Sequence, residues 1–165
     1  MDYFACILLT GIGATATTDL WSIVRQRLFG VALPNYGLVG RWIAWMPRGV
    51  FFHDPISATP PLHGERAIGW MVHYLIGIGF AALLPALWGP EWIRQPTLLP
   101  ALMVGIGTVA APFFVMQPAM GAGIAATRTP RPTAARLQSL ITHAIFGLGL
   151  YASGLLVSLF IARGN

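Results

Sequence analysis

The stretch AIGWMVHYLIGIGFAALLPALW, residues 67–88, decides how the chain is read. It contains no Asp, Glu, Lys or Arg. At about 1.5 Å of rise per residue, a helix of this length reaches ~33 Å, enough to cross a hydrocarbon core of ~30 Å. Similar runs occur at about 3–24, 97–116 and 137–162. Together they predict an all-α integral membrane protein with four transmembrane helices, a single four-span membrane domain over 1–165. The composition agrees: 56% of residues are hydrophobic and 9% charged, whereas about a quarter of an ordinary soluble domain is charged.

The net charge of +5 comes from ten arginines with no lysine. Arg25, Arg27, Arg41, Arg48 and Arg66 lie between the first and second spans, and Arg128, Arg131 and Arg136 between the third and fourth; only Arg94 and Arg163 fall on the other side. Basic residues near span ends stay cytoplasmic, so both inter-span segments are expected inside and both termini in the periplasm. Because these charges flank spans, they argue against a nucleic-acid surface. Cys6 is alone within the first span, which excludes an internal disulfide or a thiolate cluster. Ala14-Thr15-Ala16 has the form of a signal-cleavage site, but Met1-Asp2-Tyr3 lacks a positive n-region, so the first span is expected in the mature protein.

A pattern recurs 70 residues apart: Thr59-Pro60, Arg66, His73, Gly77 and Gly79 match Thr129-Pro130, Arg136, His143, Gly147 and Gly149 without a gap. Each span also carries a Gly-x-Gly, at Gly11, Gly77, Gly105 and Gly147. Small residues let helix backbones approach in lipid, which is the plainer reading of these glycines. With the repeat, they also suggest two duplicated two-helix hairpins, the first enlarged by 24 residues in its cytoplasmic loop. In that loop Val39, Trp42, Ile43 and Met46 recur at i, i+3, i+4 and i+7 beside Arg41 and Arg48. This predicts a short amphipathic helix, either lying in the headgroup region or capping the bundle against protein. After Met116, the uncharged run Gln117-Pro118-Ala119-Met120-Gly121-Ala122-Gly123 reads as a kinked extension or a partly re-entrant segment.

An ionisable side chain inside a membrane helix is a functional candidate. His73 and His143 each follow an arginine, Arg66 and Arg136, by seven residues, and Asp19 precedes Arg25 by six, which puts all three at one depth, about two turns or ~10 Å inward. Thr15 lies one turn from Asp19 on a small, polar face with Gly11, Thr18 and Ser22. The candidate intramembrane polar site is therefore Asp19, His73, His143, Thr15, Arg66 and Arg136. A protonatable Asp/His group of this kind points to passage of a small solute, ion or proton. The structural alternative is an interhelical hydrogen bond worth about 0.6 to 2 kcal/mol.

Three other classes compete. An accessory or assembly subunit would use the same residues for packing alone. Haem ligation would take His73 and His143 as axial ligands, with Arg66 or Arg136 at a propionate. A loop metal site would draw on His53-Asp54 and His63-Gly64-Glu65, whose spacing fits neither an HExxH helix nor a Cys/His zinc pattern. No metal ligand set is assigned and the cofactor is left open. Neither a Gly-x-Ser-x-Gly elbow nor a Walker loop is present, which weighs against a familiar enzyme. The expected partners are the lipid bilayer and a second copy in a homodimer, with no nucleic acid.

The chain resembles a family of small bacterial inner-membrane proteins known as domain of unknown function 2938. The likeness rests on Gly11-Ile12-Gly13-Ala14-Thr15 with Asp19-Leu20-Trp21, Val39-Gly40-Arg41-Trp42, Met46-Pro47-Arg48-Gly49, Gly64-Glu65-Arg66, Gly69-Trp70 with His73-Tyr74, and Met116-Gln117-Pro118 running to Gly121-Ala122-Gly123. It implies four spans and a bacterial inner-membrane location, and it brings no substrate, cofactor or reaction.

Overall fold

The structure is a computed structural model describing residues 2–163. Helices and turns account for all regular structure among the described residues, and no strand occurs there. Helix α1 (Tyr3–Phe29) begins where the Asp2 carboxylate accepts a 3.0 Å hydrogen bond from the Ala5 N–H, and it ends at Gly30 in the left-handed region. Helix α2 (Tyr36–Trp45) is capped by Asn35, whose Oδ1 accepts from the Gly37 N–H. It tightens into a 3₁₀ turn, Met46–Arg48, closed by left-handed Gly49. Then come α3 (Glu65–Trp88), α4 (Leu98–Ala119) and α5 (Pro132–Arg163).

Among the described residues, helices α1, α3, α4 and α5 are long and apolar enough to cross a membrane. Their apolar runs lie where the sequence places them, but α1 continues past Val24 to Phe29 and α5 starts at Pro132, well before Leu137. A helix does not stop where its apolar run stops. It stops at a residue that ends its hydrogen bonding or starts it, here Gly30 and Pro132. Within α4 the backbone is α-helical over Leu98–Gly107 and then widens into a π-helical turn, Pro112–Met116. That turn accommodates Pro112, which has no N–H to donate. After Ala119 the chain reverses through Gly121 and Gly123, both at positive φ, then Ala125 (φ 47°) and Ala126 (φ 61°).

The chain forms two compact units. The first comprises Met1–Leu33, Tyr74–Thr108 and Ile141–Asn165, and the second Pro34–His73 and Val109–Leu140. In the first unit, Ala14, Ala81, Leu84, Ala101, Val104, Phe146 and Leu150 form the core, with Trp92 closing it from the turn Glu91–Arg94. Glycines set the spacing there: a Cβ on Gly11 would lie 2.5 Å from the Ile78 Cα, and one on Gly149 2.9 Å from the Ala14 Cα. In the second unit α2 lies against the start of α3. A Cβ on Gly40 would run into the Glu65 carbonyl oxygen, and one on Gly69 into the Tyr36 carbonyl oxygen.

Candidate functional site

The buried face of α1 reads Cys6, Thr10, Gly11, Ala14, Thr15, Thr18, Ser22 and Arg25, a helical stripe. Three of its hydroxyls are satisfied within the helix: Thr15 donates to the Gly11 carbonyl at 2.8 Å, Thr18 to the Thr15 carbonyl at 2.7 Å and Ser22 to the Thr18 carbonyl at 3.0 Å. They therefore provide a smooth polar surface. Thr15 is 1% exposed and abuts Gly77, where any larger residue would collide with its hydroxyl.

At the edge of this stripe the Tyr74 hydroxyl donates a 2.9 Å hydrogen bond to Asp19 Oδ2, joining α1 to α3 within the first unit. A charge-assisted bond to a carboxylate is stronger than a neutral one.

His143 is the other ionisable residue of the candidate set in that unit. Its Nδ1 lies 3.1 Å from the Gly105 carbonyl oxygen and 3.2 Å from Thr108 Oγ1, while Thr108 Oγ1 donates to the same carbonyl at 2.8 Å. The Thr108 proton is thus used, and the carbonyl only accepts, so the proton in the Nδ1 contacts belongs to the histidine. This assigns the Nδ1–H tautomer and leaves the Nε2 lone pair as the basic atom.

His73 belongs to the second unit, stacked on Tyr36 at 4.1 Å between ring centroids and edge-on to Trp70 at 6.0 Å. Arg136 donates from Nε to the Ala125 carbonyl oxygen at 2.8 Å, supporting the left-handed backbone there. Arg66 is exposed. Of the six candidates, Asp19, Thr15 and His143 therefore lie in one unit, and His73, Arg66 and Arg136 in the other.

Three residues outside the candidate set take part. Tyr74 was passed over as a neighbour of His73, although a phenol in an apolar run is itself a polar signal. Thr108 is the only hydroxyl-bearing residue between Leu98 and Met116. Arg25, counted only as a flanking charge, is 7% exposed and continues the buried stripe of α1.

The model of the family described as protein of unknown function (DUF2938) matches residues 8–157. The chain belongs to that family. No curated protein and no solved structure matches it significantly. The DUF2938 match takes in all six candidate residues and both loop systems of the second unit.

In this DUF2938 chain the first loop is held by Arg41. Its guanidinium contacts both Glu65 oxygens at 2.8 Å and donates to the Thr59 carbonyl at 2.8 Å, with the Ile56 carbonyl at 3.4 Å. The hydrogen bond to Glu65 raises the Arg41 pKa above its ordinary value. Glu65 Oε2 also accepts from the Leu62 N–H at 3.0 Å. Thr59 in turn meets His53 Nδ1 at 2.9 Å through its hydroxyl. The two loops of the unit are joined where the His53 and Ile56 N–H groups donate to the Ala119 and Met120 carbonyls, at 2.8 and 3.1 Å. Of the loop residues weighed as metal ligands, Glu65 pairs with Arg41, and Asp54 with Arg128 at 3.5 Å. Among the described residues, no three His, Cys, Asp or Glu side chains converge on a metal position.

Proposed function

We propose that this protein is a multi-pass bacterial inner-membrane protein that passes protons, alone or with a small solute or ion, through its helix bundle. The observation that carries the reading is the Tyr74–Asp19 hydrogen bond between two membrane-length helices. A carboxylate in such a position is costly unless it is used. The lone pair on His143 Nε2 supplies a second proton acceptor in the same unit. Thr15, on the buried face of α1 in that unit, completes the proposed group.

The rest of the reading concerns architecture. Both termini are periplasmic, from the arginine distribution. The two hairpins arose by duplication, supported by a close glycine crossing in each: Gly11 lies on Ile78, next to Gly77, in the first, and Gly105 on Gly147 in the second. Helix α2 lies at the cytoplasmic interface, with its glycine face on α3 and its tryptophans toward lipid. Four spans make a thin pathway, so the working form is a homodimer.

The test is proton flux into liposomes containing the purified protein, read with a pH-sensitive dye. Wild type should conduct, Asp19→Asn and His143→Gln should conduct at least tenfold less at equal incorporation, and Tyr74→Phe should fall between. A wild type no leakier than empty vesicles would sink proton passage and leave the accessory-subunit reading; a Soret band in the purified protein would favour haem.

A further inference from the structure

The second unit carries six arginines, Arg41, Arg48, Arg66, Arg128, Arg131 and Arg136, against two carboxylates, Asp54 and Glu65, a net +4 out of the chain's +5. Glu65 is consumed by Arg41. The Asp54–Arg128 pair is long at 3.5 Å, and its side chains are 77% and 66% exposed, so water screens it and neutralises little. Beside this positive charge stands a ledge of aromatic side chains. The indole N–H of Trp42 donates to the Phe51 carbonyl at 2.9 Å and that of Trp45 to the Pro60 carbonyl at 3.3 Å, fixing the loop to α2. Phe51 and Phe52 are left 53% and 75% exposed. The Arg48 guanidinium lies 5.2 Å from the centre of the Trp45 ring, and Arg128 reaches Asp54, two residues from Phe52.

Exposed phenyl rings, indoles with satisfied N–H groups and a surplus of guanidinium form a mixed surface. The apolar part suits acyl chains, the indoles suit the headgroup boundary, and the guanidiniums suit phosphate. We propose that this ledge binds the phosphates of anionic phospholipids, with Arg48 and Arg128 as the phosphate contacts and Phe51 and Phe52 inserted among the chains. The proposal rests on the placement of α2 at the bilayer interface. It adds a preference for lipid charge, and it leaves the Asp19 and His143 group untouched.

The full-length protein is purified, given equal amounts of phosphatidylglycerol and phosphatidylcholine, and examined by native mass spectrometry. A surface arginine near an anionic membrane is worth about 1 kcal/mol, or about fivefold in lipid occupancy. Wild type should therefore retain phosphatidylglycerol at least fivefold over phosphatidylcholine. Arg48→Gln and Arg128→Gln should each lower that ratio about fivefold, and Phe52→Ser should lower total lipid retained. These side chains are exposed, so the variants should fold as wild type does. Equal retention of the two lipids, or unchanged ratios in both arginine variants, would overturn the proposal. So would displacement of the lipid by millimolar inorganic phosphate, which would indicate a small-anion site instead of a membrane surface. A separate measurement, quenching of tryptophan fluorescence by brominated lipid, should weaken in a Trp42→Phe/Trp45→Phe variant. No weakening there would remove the interfacial placement itself, and the charge preference with it.

Discussion

Replacing Gly40 by alanine should loosen the second unit, and the size of the effect follows from the geometry. The added methyl would overlap the Glu65 carbonyl oxygen and lie 2.6 Å from the Gly69 nitrogen and 2.8 Å from the Glu65 carbonyl carbon. All three obstacles are backbone, so no side chain can swing aside. Helix α2 must lift off α3, and the next residue is Arg41, whose 2.8 Å bonds to Glu65 depend on that spacing. Overpacking costs about 1–3 kcal/mol, and a clash with backbone on every side belongs at the upper end, about 3, while alanine regains about 1 kcal/mol of helix propensity. The net loss is about 2 kcal/mol, or roughly 4–8 °C in Tm at 2–4 °C per kcal/mol. The assay is heating in detergent followed by size-exclusion chromatography of the surviving monodisperse protein. Gly79→Ala is the internal control: it lies on α3 with nothing within 4 Å of the new methyl, so its Tm should stay level or rise. If Gly40→Ala melts together with Gly79→Ala, α2 does not approach α3 as described and the reasoning fails.

Other expectations follow from single contacts. Arg41→Gln should lower stability by about 1–2 kcal/mol, since it leaves a partly buried carboxylate with the Leu62 N–H as its remaining partner, and should speed tryptic cleavage after Arg48 several-fold. Arg41→Lys should rescue little of this, because an ammonium cannot span both Glu65 oxygens and the Thr59 carbonyl together. Nitrogen NMR of the histidine rings should find His143 protonated at Nδ1; protonation at Nε2 in neutral solution would contradict the assigned tautomer and the basic role of that atom. Thr108→Val should leave the tautomer in place, because the Gly105 carbonyl still accepts, while costing about 1 kcal/mol of stability.

The four membrane-length helices were legible because a long apolar run has few ways to satisfy its backbone other than a helix whose bonds are internal. The glycines that set helix spacing were legible too, since Gly11, Gly105 and Gly147 stand where backbones meet. What sequence spacing could not give was the partner of each polar group. Asp19 and Tyr74 are 55 residues apart, and Thr108 and His143 are 35 apart. Such pairs depend on how helices are rotated about their own axes, which depends on packing, not on pattern. Arg25 illustrates the same limit: a cation near a span end looks like a flank in sequence, yet the roll of α1 turns it inward.

The Arg41 clasp has a mechanical consequence. One guanidinium holds Glu65 at the mouth of α3 together with the Thr59 carbonyl, and the loop's N–H groups hold the chain reversal after α4. A segment tied at that many points does not swing as a flap. Any compliance that proton passage needs must then come from outside this loop, and the crossing of Gly105 on Gly147, where backbone meets backbone with no side chain between the helices, is one place in the first unit free of an interlocked side chain.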